Sequence, residues 1–373
     1  MARYSLSSTI LIGGVIAGLS LGCVASEEEE PAPLDPLPIL GDGSHSPDSL
    51  EVTIISAPED GFLYPTDLEF NPEVAGELWV SNRLDFSMVI YDDAGGPNQN
   101  ARKVRDSLSS GDHFLAKPAA LAFGDPGFFA TAQQENGVTG DGHPPDGSFM
   151  GPTLWSSIRD EFTAGNMGHL DMLHNSPLSS GIAWEKDNVY WVFDGTHGSL
   201  TRYDFNEDHG LGGSDHTDGI IHRYADGELG YEHAIPSHVA YDPETGYVYA
   251  ADTSNMRIVR LDPATATPGG PITPNYDGCE MQMMDDAELI TLVDGEALEV
   301  PMTPSGLELH EGVLYVTDPF EARIYGFDLD GNLRDYLDTG YPPGSVMGMT
   351  FDDEGNLWVS DANLGQVRKF AVR

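Results

Sequence analysis

The sequence predicts an all-β protein, a six-bladed β-propeller in which the first strand completes the last blade. Three observations carry that expectation. A short apolar strand start recurs six times, and each copy is followed by a second strand of alternating aromatic and β-branched residues. The two ends of the repeat region are each short of a full blade, by complementary amounts.

The strand starts are Asp67-Leu68-Glu69-Phe70, Ala120-Leu121-Ala122-Phe123, Gly181-Ile182-Ala183-Trp184, His238-Val239-Ala240-Tyr241, Gly306-Leu307-Glu308-Leu309 and Gly348-Met349-Thr350-Phe351. Their spacing varies from 42 to 68 residues, which leaves room for loop insertions. Turns rich in Asp, Glu, Pro or Gly lead to the second strands: Leu78-Trp79-Val80, Phe128-Phe129-Ala130, Val189-Tyr190-Trp191-Val192, Tyr247-Val248-Tyr249, Leu314-Tyr315-Val316 and Leu357-Trp358-Val359. This patterning reads as strand pairs, not helices. In four copies the second strand runs into an aspartate, Asp194, Asp252, Asp318 or Asp361, and the first copy has Asn82 there.

A third strand is clearest in Arg257-Ile258-Val259-Arg260-Leu261, Arg323-Ile324-Tyr325-Gly326-Phe327 and Gln366-Val367-Arg368-Lys369-Phe370. The segment Asp252-Thr253-Ser254-Asn255-Met256-Arg257-Ile258, preceded by Pro243-Glu244-Thr245-Gly246-Tyr247-Val248-Tyr249, resembles the NHL repeat. Propellers of that family have six blades, end the second strand in Asp and continue to Asn and Arg-Ile. The resemblance is densest in the fourth repeat and thinnest in the first three. Closure follows from the ends: the last repeat supplies three strands before Arg373, and Val52-Thr53-Ile54-Ile55-Ser56 is a lone strand ahead of the first repeat. Joining them removes the edges an open sheet would expose.

The N-terminus sets the expected compartment. Residues 1–22 hold one cation, Arg3, and an apolar run from Ile10 to Leu21 broken only by small residues, which is the pattern of a secretory signal. The run is shorter than the about 20 apolar residues that span a bilayer. Ser20-Leu21-Gly22-Cys23 resembles the lipobox of bacterial lipoproteins, with Ser20 where that family usually carries Leu. The resemblance implies lipidation of Cys23; the alternative is an ordinary cleaved signal beside a chance cysteine. Residues 23–49, with four glutamates from Glu27 to Glu30 and several prolines, have the composition of a solvated, disordered tether, and the propeller is expected over 50–373. No Asp directly follows Cys23, so the lipoprotein resemblance implies an outer-membrane, extracytoplasmic location with membrane contact only through the lipid.

The chain carries 61 acidic against 17 basic residues, four of the latter lysines, and a formal charge of −44. Nucleic acid is thereby excluded as a partner, because phosphate binding needs clustered cations. Such a surface stays hydrated and also offers oxygen ligands to hard cations such as calcium, and both readings are open. With Cys23 lipidated, Cys279 has no partner for an internal disulfide.

In a four-stranded blade the loop into the inner strand and the loop between strands two and three open on one face around the axis. Function in propellers concentrates there. Asp67, His238, Asp194, Asp252, Asp318, Asp361 and His197 are expected on that face, and the run His169-Leu170-Asp171-Met172-Leu173-His174 is expected in the connection feeding the third blade. Six of the 12 histidines lie between His197 and His238. Converging imidazoles with an open position suit zinc, whereas carboxylates admit calcium or manganese. The candidate metal ligands are His169, His174, His197, His238, Asp194 and Asp252; separate surface histidines are the alternative.

One NHL-like family, the peptide amidating lyase propellers, holds zinc on histidines near inner-strand starts, directly after Pro. Pro236-Ser237-His238 is similar, with the histidine displaced by one place. That resemblance implies a metal-dependent lyase or hydrolase. The other function class is a monomeric binding module presenting a protein, peptide or glycan site on its loop face, favoured by long unequal insertions on a fixed scaffold.

Two further stretches could hold ions. The run from Asp204 to Gly219, containing His209 and His216, falls between the third and fourth strands of the third blade and loosely resembles a calcium loop, without the EF-hand order. Cys279 with Met281, Met283 and Met284 combines soft ligands suited to copper(I), or packs against the propeller's side. Outside the N-terminal signal segment the sequence contains no Gly-x-Ser-x-Gly elbow, and it has no phosphate-cradling loop and no Cys-x-x-Cys pair.

Overall fold

The computed structural model describes residues 36–105, 114–136, 149–162 and 169–373. The signal segment and Cys23 lie outside them. Ahead of the repeats stands β1 (Leu50–Ile54). Blade 1 is β2 (Pro65–Phe70), β3 (Leu78–Asn82), β4 (Ser87–Asp92) and β5 (Asn100–Arg105), and blade 2 is β6 (Pro118–Phe123), β7 (Phe128–Gln133), β8 (Thr153–Ser156) and β9 (His169–Met172), with one helical turn α1 (Arg159–Phe162) before β9. Blade 3 is β10 (Ser179–Lys186), β11 (Val189–Asp194), β12 (Ser199–Asp204) and β13 (Ile220–Tyr224). Blade 4 begins with β14 (Val239–Tyr241), β15 (Val248–Asp252) and β16 (Arg257–Asp262), leaves the blade for a hairpin of β17 (Thr267–Pro271) and β18 (Glu280–Asp285), and returns as β19 (Glu288–Asp294). Blade 5 is β20 (Leu307–His310), β21 (Val313–Asp318), β22 (Arg323–Phe327) and β23 (Leu333–Asp338), and blade 6 is β24 (Met349–Phe351), β25 (Leu357–Asp361) and β26 (Gln366–Val372), completed by β1.

The six strand starts seen in the sequence fall in or at the six inner strands, which neighbour one another in a closed ring. Closure is as expected: β1 pairs antiparallel with β26, from Leu50 opposite Val372 to Ile54 opposite Arg368.

Second strands are buried on both faces between blades, so their large side chains form the core. Trp79, Trp191 and Trp358 are almost fully buried. Each keeps its indole N–H satisfied by a carboxylate at the end of the first strand or in the turn after it: Glu185 at 2.8 Å in the strand, Glu77 at 2.6 Å and Asp352 at 2.9 Å in the turns. Acidic turns therefore serve the core as well as the surface.

The inner ring is closed at a position where four of the six blades carry Ala or Gly. Asp67, Ala120, Gly181, His238, Gly306 and Gly348 share one repeat position. A Cβ on Gly181 would lie 2.0 Å from the Ser237 carbonyl oxygen, and one on Gly306 would lie 2.1 Å from that of Met347. Neighbouring blades also bond directly there: Ser237 N–H donates to Ser180 O at 3.1 Å, and His238 N–H to Ser305 O at 2.9 Å.

Three local features differ from the sequence-based expectation. The stretch 23–49, expected to be solvated, is described from Pro36, and Leu37, Ile39 and Leu40 are buried among Val313, Tyr315, Ile324, Leu357 and Phe370. Leu37 N–H donates to Asp335 at 3.0 Å, and the His45 ring stacks on Tyr336 with centroids 3.7 Å apart. Three apolar side chains in a proline-rich segment suffice to dock it across blades 5 and 6. Second, blade 3 has six strands, because β18 pairs in parallel with its outer strand β13 and carries β17 beyond it. Third, His169–Met172 is the outer strand of blade 2, paired with β8, and only His174 lies in the connection onward.

Candidate functional site

The aspartates that end the second strands organise the loops after them. Asp252, fully buried, accepts from Gly230 N–H at 2.8 Å, Asn255 Nδ2 at 2.9 Å and Arg257 Nε at 2.7 Å. Asp194 accepts from the Thr196 and His197 N–H groups at 3.0 Å, pairs with His197 Nδ1 at 2.7 Å and lies 3.4 Å from Arg223 Nη2. Asp318 accepts from three backbone N–H groups, those of Thr303, Phe320 and Glu321. These carboxylates tie each loop to the adjacent connection, and in blade 4 Asn255 and Arg257 both bond to Asp252 in doing so.

Each sequence-predicted histidine sits with its own carboxylate or ring. His174 Nδ1 is 2.5 Å from Asp277 Oδ1, with its ring stacked on Phe149. His197 pairs with Asp194, and His238 Nδ1 lies 3.6 Å from Asp67 Oδ1. His169 stacks on Phe114 with centroids 3.8 Å apart.

On the axis, blades 1, 4 and 5 bring Asp67, Glu69, His238 and Glu308 together. Asp67 Oδ2 and Glu69 Oε2 accept the Leu121 and Phe123 N–H groups of the next inner strand, each at 2.9 Å. Burial, then the charge of Glu69, pushes the Asp67 carboxyl well above the usual range. Burial raises Glu69 to about 8, and burial with the charge of Glu69 raises Glu308 to about 8. Burial lowers His238 to about 4, so its ring is neutral at pH 7, and its Nε2 is buried without a hydrogen-bond partner. Among the described residues no lysine or arginine pairs with these carboxylates.

A second cluster lies at the outer rim, where blade 2 meets the long loop of blade 3. Among the described residues, Asp171, His209 and His216 are the group of three whose ligand atoms all lie within 4.8 Å of one another. His209 and His216 come from the Asp204–Gly219 run that the sequence marked as a candidate ion loop, and Asp171 from the middle of the His169–His174 run. His216 Nδ1 is 2.6 Å from Asp171 Oδ1. Burial pushes the Asp171 carboxyl up, against the hydrogen bond and charge of His216. Burial works to lower His216, but the hydrogen bond and charge of Asp171 outweigh it and raise its pKa. Nothing in the spacing paired Asp171 with the loop; the one available signal was histidine density in both runs.

Cys279, with Met281 and Met283, packs in the apolar cluster of blades 2 and 3. Burial, then the charge of Asp277, pushes its thiol up to about 12, so it is protonated at neutral pH. Between blade 4 and the hairpin that extends blade 3 runs a cleft of about 460 Å³, lined by Arg257, Asp226, Glu228, Met283, Met284 and Leu289 among others. Its one cation, Arg257, is already held by Asp252. No helix among the described residues is long and apolar enough to cross a membrane.

No known family's sequence profile matches the chain, and no curated protein matches it in sequence. Solved structures do share its backbone. An auxiliary nutrient binding protein from Bacteroides ovatus aligns with a TM-score of 0.53 at 13% identity, covering 87% of this chain and 76% of that one. A protein of the same description from Bacteroides thetaiotaomicron gives 0.55 at 12% identity, over 86% and 76%. A gluconolactonase from Xanthomonas campestris gives 0.53 at 12% identity, over 88% and 92%. At such identities the likeness is one of architecture, and with six closed blades in hand the chain is a six-bladed β-propeller.

Proposed function

We propose that the chain is a ligand-binding module of the cell envelope, held by a lipid on Cys23 and taking a polar ligand, a glycan or peptide, at the axial mouth of its loop face. The observation that carries this reading is the axial set: Asp67, Glu69 and Glu308 without a lysine or arginine partner, beside a neutral His238 with an unused ring nitrogen. Carboxyls held up to about 8 keep their protons near pH 7, so they donate as well as accept, which suits the hydroxyl and amide groups of a glycan or peptide. Two structural neighbours named as nutrient-binding proteins are consistent with that role. Calorimetric titration of the purified chain with soluble oligosaccharides and peptides tests it, with binding expected to weaken at least about tenfold in Glu308→Gln. Ligands that bind the variant as tightly as the parent would overturn the axial assignment. Fractionation tests the anchor: Cys23→Ser should move the protein from the membrane to the soluble fraction.

The same perturbed groups support a second reading, a metal-dependent lyase or hydrolase, because shifted pKa values on an axis are also what acid–base chemistry requires. In that reading His238 is the foremost of the six sequence-predicted ligands, since His197, Asp194 and Asp252 are already engaged with each other or with arginines. Turnover lost on metal removal and in His238→Ala would establish it over simple binding.

A further inference from the structure

The loop joining β12 to β13 has little to hold it by burial. Of its residues 205–219, Phe205 at its start is fully buried, Leu211 is 52% exposed, and Gly210, Gly212, Gly213 and Gly219 add flexibility. Yet it docks on the outer strand of the neighbouring blade, with His209 N–H donating to Leu170 O at 3.0 Å and Gly212 N–H to His169 O at 3.4 Å.

At that seam the side chains are set for a ligand they do not supply themselves. His209 Nδ1 lies 2.7 Å from the Gly210 carbonyl oxygen, to which it donates. That bond fixes the tautomer and leaves the Nε2 lone pair free, as the outer bond of a metal-bound histidine does. Nε2 is buried, has no hydrogen-bond partner and sits 4.0 Å from Asp171 Oδ1. Asp171 Oδ2 is likewise buried without a partner. His216, 18% exposed, closes the third side at the solvent edge. Behind it stand His174, with ring centroids 5.9 Å away, and Asp277 from the blade 4 excursion, bonded to His174.

We propose that Asp171, His209 and His216 form a divalent transition-metal site, of zinc type, that staples the blade 3 loop to the outer strand of blade 2 and keeps one position open to solvent beside His216. Calcium takes six to eight oxygens, and this set offers two imidazoles and one carboxylate. Two nitrogens and a carboxylate are what zinc or ferrous iron takes. Bonds of about 2.0–2.1 Å in a tetrahedron place ligand atoms about 3.4 Å apart. The 2.6 Å and 4.0 Å separations bracket that value, so small side-chain rotations suffice. The site is independent of the axis and of any ligand bound there.

Zinc titrated into chelator-stripped full-length chain, against a chromogenic competitor, is expected to bind at about one equivalent, and Asp171→Asn or His209→Ala to weaken binding at least about a hundredfold. His238→Ala should bind zinc as the parent does, and excess calcium should not displace it. Proteolysis within 205–219 should accelerate on metal removal. Should the buried variants fail to fold, as near-ultraviolet circular dichroism would reveal, His216→Ala at the partly exposed position must lose zinc by the same measure. Absence of zinc binding, parental affinity in His216→Ala, or loss confined to His238→Ala each overturns the proposal.

Discussion

His238 Nδ1 approaches Asp67 Oδ1 to 3.6 Å across the axis, from blades that stand opposite each other in the ring of six. The remaining positions of that layer are Ala120, Gly181, Gly306 and Gly348, so the pair has room to meet. A Cβ on Gly348 would fall 2.5 Å from Asp67 Oδ1 and 2.6 Å from its Cα. Gly348→Ala is therefore expected to cost about 1–3 kcal/mol and to displace the carboxylate from His238. Denaturant midpoints check the first effect, and an unchanged midpoint would contradict the close-packed ring.

Stability should fall with rising pH on account of the axial carboxylates. Glu69 and Glu308 have folded pKa values of about 8, above their ordinary value of 4.5. The folded state keeps protons that the unfolded chain releases, so this contribution is complete below pH 4.5 and is lost as pH rises through 8. Glu69→Gln should raise Tm over the parent by at least about 2 °C at pH 8.5 in chelator and leave it nearly unchanged at pH 4.5. Since Glu69 also raises Glu308, the double variant should gain less than the sum. A bound cation would shrink the difference, which makes the same melts with and without calcium a measure of axial ion binding.

On the acid side the sign reverses for His238. Its folded pKa of about 4 lies below the ordinary 6.5, so the unfolded chain takes up the proton first. Stability from this site is present above pH 6.5 and is lost as pH falls through 4. His238→Gln should flatten the decline in Tm between pH 6.5 and 4; an identical slope would show that the ring is not held neutral.

Asp252 gathers a backbone N–H, an amide and a guanidinium while fully buried. Asp252→Ala strands all three, and about 3–5 kcal/mol of stability should go with them. Asp252→Asn, which still accepts, should lose less. Chemical denaturation of both variants separates a cap from a metal ligand, because added zinc would not move either if the residue is a cap.

The repeats were legible because a second strand buried on both faces is dominated by large apolar residues, and because an aspartate ends it in four of the six blades and organises the loop that follows. Leu357-Trp358-Val359-Ser360-Asp361 is such a strand. The rim cluster was hidden for the opposite reason. Asp171 belongs to blade 2, His209 and His216 to a loop of blade 3, and only a crossing of the seam brings them together. The sixth strand of blade 3 was equally out of reach, since it depends on β18 leaving blade 4 to run parallel to β13. Leu37, Ile39 and Leu40 were discounted within an acidic, proline-rich stretch whose average composition conceals three residues with a groove to fill.

The β1–β26 seam has a mechanical meaning. Leu50, at the start of β1, faces Val372, at the end of β26, so tension applied between these two residues pulls on one end of the same ladder. The pairs are then loaded in succession, as in a zipper, and not all at once as in shear. Pulled between Leu50 and Val372, blade 6 would therefore lose its outer strand β1 pair by pair.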